Sequence, residues 1–358
     1  MRKIKIYLDG IVNSINAQND NCANVARFLD KDRFKVRTLT CYSGELPIEN
    51  IRGVRYLHIG YPARVWSKLK RIIGVLWCDV AYFPPLPGSW RFQRALARMF
   101  RKKVFQTVEG VYEGIALERA MAAVGPVDVI KESLTFSGHT YSITHSMVGK
   151  NRSLIGLDGC DRVLRLGVDS SYFARTIQKR VSSLQDVVMI GADLYRKGLS
   201  DYLLIAKAFP NIRFHVVGGN IGGMDYGREI SKVGLGNVVF HGQMSHAELK
   251  TLFEQVQLHI FPSHYESFGK VTFETAAAGI PSIVYADYGA DEWITTGVDG
   301  FVVKTVEEIV GVVEQLVVHP ELLQSLSDHA IEMAKRWDWR VVIKDWEREI
   351  EVIYRGDN

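Results

Sequence analysis

Disulfide and zinc chemistry have little to work with in this 358-residue chain. Its four cysteines, Cys22, Cys41, Cys78 and Cys160, are widely scattered and form no C-x-x-C, the usage expected of reduced thiols in a cytosolic protein. No run of 18 uncharged apolar residues occurs, so no transmembrane helix is predicted. The opening MRKIKIYLDG enters a strand without the long apolar core of a secretion signal. Low-complexity segments and short repeats are also missing. The only D-x-D is Asp30-Lys31-Asp32, which closes a predicted helix and fits a solvated turn better than a cation site. There is no G-x-S-x-G nucleophile elbow, and GGNIGG at 218–223 is not the G-x-G-x-x-G of dinucleotide binding.

What the chain does have is alternation. Short β-rich runs (KIKIYLDG, KVRTLTCY, VRYLHIG, DVAYFP, KVFQTV) interleave with helical ones such as ANVARFLD. The pattern resumes with DVVMIGA, DYLLIAKAF, RFHVVGG, VVFHG, LKTLFEQ, LHIFPS and SIVYA. Such alternation predicts parallel sheets covered by helices on both faces, an α/β chain. The length suggests two domains of about 150 to 200 residues, and 47% hydrophobic content supports a core in each. The expected division is 1–165, 166–335 and a terminal helix within 336–358, with the join near RLGVDSSYF. That helix carries Trp339, Val342, Ile343, Trp346, Ile350 and Ile353 on one face.

The net charge of +4 hides an asymmetry. Residues 1–165 hold 26 Lys/Arg against 14 Asp/Glu, and residues 166–358 hold 18 against 26. Between 64 and 103 there are ten bases and one acid, Asp79, with Trp66, Trp77, Trp90 and Phe100 interleaved. Bases mixed with aromatic and aliphatic residues at helical spacing mark a helix lying in an anionic membrane interface. Ordinary surface helices and a nucleic-acid patch are the other readings of this segment. The asymmetry favours the membrane, so an anionic membrane surface is the expected partner and a nucleic acid is not.

Residues 259–281, HIFPSHYESFGKVTFETAAAGIP, place Glu266 and Glu274 eight positions apart across a loop-to-helix junction. A buried strand ends at Phe261, Pro262 and Ser263 break it, and a helix runs from near Gly269 to the stop at Gly279-Ile280-Pro281. Open α/β sheets bind ligands at such strand ends, and the N–H groups of a helix's first turn attract anions. Two acceptors flanking an anion site suit a molecule with hydroxyls at both ends and phosphates between, such as a nucleotide sugar.

Together with Ala278-Gly279-Ile280-Pro281 and the later G-x-x-E…G-x-x-G-F, this E-x7-E stretch resembles the retaining glycosyltransferases of family 4. Further blocks agree in order: Gly167-Val168-Asp169, Gly191 with Lys197-Gly198, Val216-Val217-Gly218, Val239-Phe240-His241-Gly242 and Phe261-Pro262-Ser263. The resemblance covers roughly 160–303 tightly and the rest loosely. It implies a GT-B fold of two doubly wound Rossmann-like domains facing a central cleft. It implies a metal-independent transfer of sugar from a nucleotide-sugar donor, which serves as co-substrate, so no cofactor is expected. The acceptor is expected to be a glycan or lipid-linked sugar in cell-surface polysaccharide or glycolipid synthesis.

By the same resemblance Lys197 binds the donor diphosphate, Glu274 takes the ribose hydroxyls, and Glu266 holds a hydroxyl of the transferred sugar. Ser267, Phe268 and Gly269 offer backbone N–H groups, Phe268 packing its side chain, and Thr272 adds a hydroxyl. Gly218 and Gly219 let the nucleotide approach the backbone, and Met244 contacts the base. The family's arginine after the strand is Ala192 here, and Arg196 is the candidate replacement. Gly10, with Asn13, Ser14 and Asn16 beside it, matches half of a glycine pair facing the phosphates. Glu109 stands where the family often has a histidine facing the sugar; His139 and His145 are nearby in sequence and read as surface or packing residues. Two alternatives stay open: a non-catalytic binding member of the fold, and a sugar-nucleotide epimerase. The expected location is the cytoplasm, with attachment to the inner face of the cytoplasmic membrane as an option.

Overall fold

The computed structural model describes residues 2–14, 16–85, 89–176, 181–220 and 224–356. The chain divides into two compact units, Met1–Gly167 with Trp339–Asn358, and Val168–Asp338. Each is built on one all-parallel sheet whose inner strands are buried along most of their length, as helices on both faces require.

The first unit runs β1 (Ile4–Ile11), α1 (Ala17–Phe28), β2 (Phe34–Cys41), β3 (Val54–Ile59), α2 (Ala63–Trp77), β4 (Val80–Phe83), α3 (Trp90–Met99), β5 (Lys103–Val108), α4 (Gly114–Val124), α5 (Val127–Thr135), β6 (Thr140–Ser142), α6 (His145–Ile155) and β7 (Arg162–Val163). Its strand order is β3-β2-β1-β4-β5-β6-β7. The terminal helix α14 (Trp339–Arg355) belongs to this unit. All six residues of its apolar face are buried. Trp346 packs edge-on to Tyr82 at 5.2 Å and donates from Nε1 to the Arg165 carbonyl at 2.9 Å. Glu347, buried on the same helix, accepts from the Asp30 N–H at 2.9 Å and from Arg33 at 2.8 Å. The Asp30-Lys31-Asp32 segment is a turn, closed by Asp32 N–H donating to Asp30 Oδ1 at 2.8 Å.

A buried charge ties α2 and α3 to β1. Asp9 accepts from Tyr7 OH at 2.7 Å, Arg71 Nε at 2.9 Å and Gln93 Nε2 at 2.5 Å. Gly74 lets α2 approach, since a Cβ there would lie 2.4 Å from the Tyr7 ring.

The second unit runs α7 (Ser170–Phe173), β8 (Asp186–Ile190), α8 (Leu199–Ala208), β9 (Arg213–Val217), α9 (Tyr226–Val233), β10 (Val238–Gly242), α10 (His246–Phe253), β11 (Leu258–Phe261), α11 (Lys270–Ala277), β12 (Ser282–Tyr285), β13 (Gly300–Val303), α12 (Val306–Val318) and α13 (Glu321–Arg336). Its order is β10-β9-β8-β11-β12-β13. One core cluster runs from Val187, Met189 and Phe214 in the sheet to Leu199, Tyr202 and Ile205 on α8 and Ile309 and Val313 on α12. Two parallel-sheet α/β units are thus what the alternation predicted.

Breaking the Asp9 network has a calculable cost. Arg71→Met strands a buried carboxylate and should destabilise the chain by about 3 to 5 kcal/mol, with part of the loss recovered by adding Asp9→Asn. Thermal unfolding of the wild type and the two variants checks this.

His259 supplies a pH signature. It is fully buried, with Nδ1 2.9 Å from Ser282 Oγ, and burial pushes its pKa down to about 3. The unfolded chain protonates near pH 6.5 and the folded one does not, so between these values unfolding takes up a proton. Stability is full above about pH 6.5 and declines as pH falls toward 3, by roughly 4 kcal/mol in total. The His259→Gln variant should show a flatter unfolding profile across this window.

Candidate functional site

The strand order of the second unit reverses between β8 and β11, the position at which open sheets leave a crevice for ligands. The loops leaving these two strands meet there. Gly198, at φ +88°, starts α8, and a Cβ on it would lie 1.9 Å from the Pro262 carbonyl oxygen. Just before it, Lys197 forms an ion pair with Glu266, and both side chains are largely buried. Ser263 Oγ donates to the same Glu266 oxygen at 3.0 Å, and the Lys197 ammonium lies 5.3 Å from the Phe261 ring centre. Burial lowers the Lys197 pKa from its ordinary value, while Glu266 works in the opposite direction. Gly191 makes room for the lysine stem, since a Cβ there would stand 2.8 Å from Lys197 Cγ. Arg196 is exposed, donates to the Tyr265 carbonyl at 2.9 Å and sits 3.7 Å from Asp193. Lys197, Arg196 and Glu266 therefore share one spot.

Gly269, at φ +67°, opens α11 from the same loop. Glu274 is half-buried in the second turn, so the two carboxylates fall one in the loop and one in the helix. Ser267 is half-buried; Phe268 is buried against Phe273, Trp293 and Trp337. Thr272 is fully buried, which corrects the expectation that its hydroxyl reaches a ligand: it faces the packing around Gly269 and Tyr288.

Gly218 and Gly219 follow β9, but Gly218 serves strand-end packing, because a Cβ would sit 2.2 Å from the Gly191 carbonyl oxygen. Ile221, Gly222 and Gly223 of the GGNIGG string lie outside the described residues. Met244 lines a groove of about 410 Å³ with Arg213, His215, Val239, His241 and Glu248, which places it against the flank of β9 and β10.

The first unit corrects one further expectation. Gly10 lies within β1, not in a loop, and a Cβ on it would meet Cys22 at 2.6 Å; it is there for helix packing. Its polar neighbours have structural tasks: Asn13 exchanges two 2.9 Å hydrogen bonds with the Cys41 backbone, Asn16 caps α1, and Ser14 reaches Glu45. Glu109, at the end of β5, accepts from Thr107 at 2.8 Å, Asn21 at 2.9 Å and Tyr82 at 3.1 Å. In the basic segment, Trp90 and Leu96 of α3 are buried, Trp77 lies under the Arg37 guanidinium at 4.1 Å, and Arg71 is committed to Asp9. The aromatic run from 77 to 100 is therefore largely packing; the outward apolar residues of the segment are Val65, Trp66, Leu69 and Leu76 of α2, with Met99 at the end of α3.

Sequence reasoning missed three polar clusters. His264 stacks on Tyr285 at 4.4 Å and meets Asp287 at 2.6 Å, pinning the Glu266 loop to the end of β12. Asp186, His215 and His241 form a chain of 2.9 and 2.8 Å contacts beneath the groove. Asp9 is the third. For Asp9, Asp186 and His215 the sequence signal was a polar residue inside an apolar strand, which marks a need for a partner without naming it. Among the described residues no cluster of His, Cys, Asp or Glu is arranged to hold a metal ion, and no helix is long and apolar enough to cross a membrane.

Residues 174–333, nearly the whole second unit, match the family described as Glycosyl transferases group 1. Over 185 residues the chain is 25% identical to poly(glycerol-phosphate) alpha-glucosyltransferase of Bacillus subtilis, which covers 51% of this chain and 26% of that protein. It is 26% identical over 165 residues to alpha-galactosylglucosyldiacylglycerol synthase of Streptococcus pneumoniae, 45% of this chain and 44% of the relative. The chain thus spans well under two thirds of these relatives. Sucrose-phosphate synthase from Thermosynechococcus elongatus superposes with a TM-score of 0.81 at 16% identity, covering 99% of this chain and 100% of that one. Anabaena HepE, solved with UDP-glucose, gives 0.75 at 16% identity over 97% and 99%. The fold is that of GT-B proteins.

If the two loops meet as described, Gly198→Ala should destabilise the chain by more than about 2 kcal/mol, since the left-handed backbone alone costs a non-glycine residue 1–2 kcal/mol. Unchanged thermal stability would separate the loops and dismantle the site.

Proposed function

We propose that the chain is a retaining glycosyltransferase that moves a sugar from a nucleotide-sugar donor to a glycan or lipid-linked acceptor, without a metal ion, in the cytoplasm. The observation that carries this reading is the Lys197–Glu266 pair at the switch point, with Arg196 beside it and α11 beginning in the same loop. A diphosphate there draws the ammonium of Lys197 and the first-turn N–H groups of α11. Glu266, released from its lysine, is then an acceptor for a sugar hydroxyl, and Glu274 one turn into the helix is an acceptor for the ribose. As the bond to the sugar breaks, charge grows on the departing diphosphate. Fixed cations and N–H groups aimed at it lower that barrier, because they need no reorganisation at the moment of reaction. Retention of configuration follows the family resemblance. The relatives' names support a cell-surface polymer or glycolipid as the product class. Ala192, where the family has arginine, and Glu109, where it often has histidine, are the features that favour a non-catalytic binder, and donor turnover decides between the two.

A thermal-shift screen of UDP-, GDP-, ADP- and TDP-sugars should find one donor that stabilises the protein. Glu274→Ala should then weaken its binding by about 1.5 to 3 kcal/mol, the range for hydrogen bonds to a charged group. Lys197→Ala should abolish turnover. A comparable loss in Arg196→Ala assigns that arginine the missing partner's role, and a mild one leaves the work to Lys197. Wild-type binding and turnover in all three variants would overturn the site.

A further inference from the structure

We infer that α2 is a membrane-docking helix, held flat on the first unit and presenting an apolar stripe to the interface of an anionic bilayer. The inference goes beyond the transfer reaction and its test does not depend on it. The inward face of α2 is fixed by Arg71 on Asp9, by Gly74 against Tyr7 and by buried Val75. At 100° per residue the opposite face carries Val65, Leu69 and Leu76 in one line, and these are 63%, 42% and 50% exposed. Bases border the stripe on both sides. Lys68 lies along one edge, and Trp66 with Lys70, whose ammonium is 5.1 Å from the indole centre, along the other; exposed Arg64 stands at the start of the helix.

The surface continues past the start of the helix. Tyr61, 80% exposed, precedes Pro62 at its N-terminus and meets exposed Tyr42 edge-on at 6.1 Å. Tyrosine and tryptophan, apolar in body and polar at the tip, suit the headgroup layer. No acid occurs in α2. That rules for a negatively charged occupant, and a stripe of aliphatic side chains flanked by flexible bases fits lipid, which accepts both at once. The nearby helix α3 adds exposed Arg91 and Arg98 to the charge, buries Trp90, Leu96 and Ala97, and leaves Met99 exposed at its end.

The test uses the full chain and vesicles of phosphatidylcholine with or without phosphatidylglycerol, at low and high salt. Two variants change only outward positions: Lys68→Glu with Lys70→Glu, and Val65→Ser with Leu69→Ser and Leu76→Ser. Arg71 stays, because its loss would unfold the helix's seat. Binding to anionic vesicles that weakens with salt and falls about tenfold or more in each variant supports the docking helix. Equal binding to neutral vesicles, no binding, or loss in the charge variant alone overturns it. A patch that instead mediates self-association or glycan binding, abolished by the serine variant without any lipid effect, overturns it too. Donor-induced thermal shift, measured on the same variants, reports the second unit separately, so failure here leaves the transferase reading standing.

Discussion

Two loops that touch through a residue without a side chain set the geometry of the second unit's ligand-facing edge. Gly198 presses on the Pro262 carbonyl, and every polar group of the candidate site hangs from the segments on either side of that contact. The loop after β8 delivers Arg196 and Lys197; the loop after β11 delivers Ser263, Glu266 and the start of α11. Because the strands beneath are buried and parallel, neither loop slides without dragging core. Lys197 is therefore desolvated before any ligand arrives. Its cost of burial is offset by the carboxylate of Glu266. On the proposed reading, an anionic ligand takes the carboxylate's place beside the lysine, and an uncharged one has nothing to replace it with.

The first unit shows the opposite use of the same architecture. Its strand ends also carry Asp, Asn and Glu, but each is answered from inside the unit. Asn13 closes on the Cys41 backbone, Asp9 on Arg71 and Gln93, Glu109 on Tyr82, Thr107 and Asn21. Asp9 and Asn13, buried and bonded within the unit, stiffen the sheet edge, while Asn21 beside Glu109 keeps a buried Oδ1 without a partner. In the second unit the paired residues at the switch point, Lys197 and Glu266, are instead both charged.

This contrast explains what was legible beforehand. Alternation of strand and helix, the buried face of α14, and the split of Glu266 into a loop and Glu274 into a helix all follow from periodicity and from the punctuation of Pro262, Gly269 and Pro281. Those signals say which face a residue occupies. They do not say what stands opposite. Gly10 read as a phosphate glycine because only Cys22, twelve positions on, reveals it as a packing glycine. Thr272 sits in the right motif but is buried beside Tyr288. His264 gave no pattern at all, since its partners Tyr285 and Asp287 lie one strand further along the chain.

The helix α2 carries both lessons at once. As a sequence it was a basic amphipathic run in which all bases looked alike. In the fold one of them, Arg71, is a core residue that neutralises Asp9, and the remainder stand around an aliphatic stripe that nothing in the first unit covers. The inward pairing is what allows the outward exposure: a helix fastened by an ion pair and by the close contact at Gly74 need not bury its other face to remain helical. An exposed line of Val65, Leu69 and Leu76 is thus compatible with a stable unit, and its hydrophobicity is free to act on a partner outside the chain.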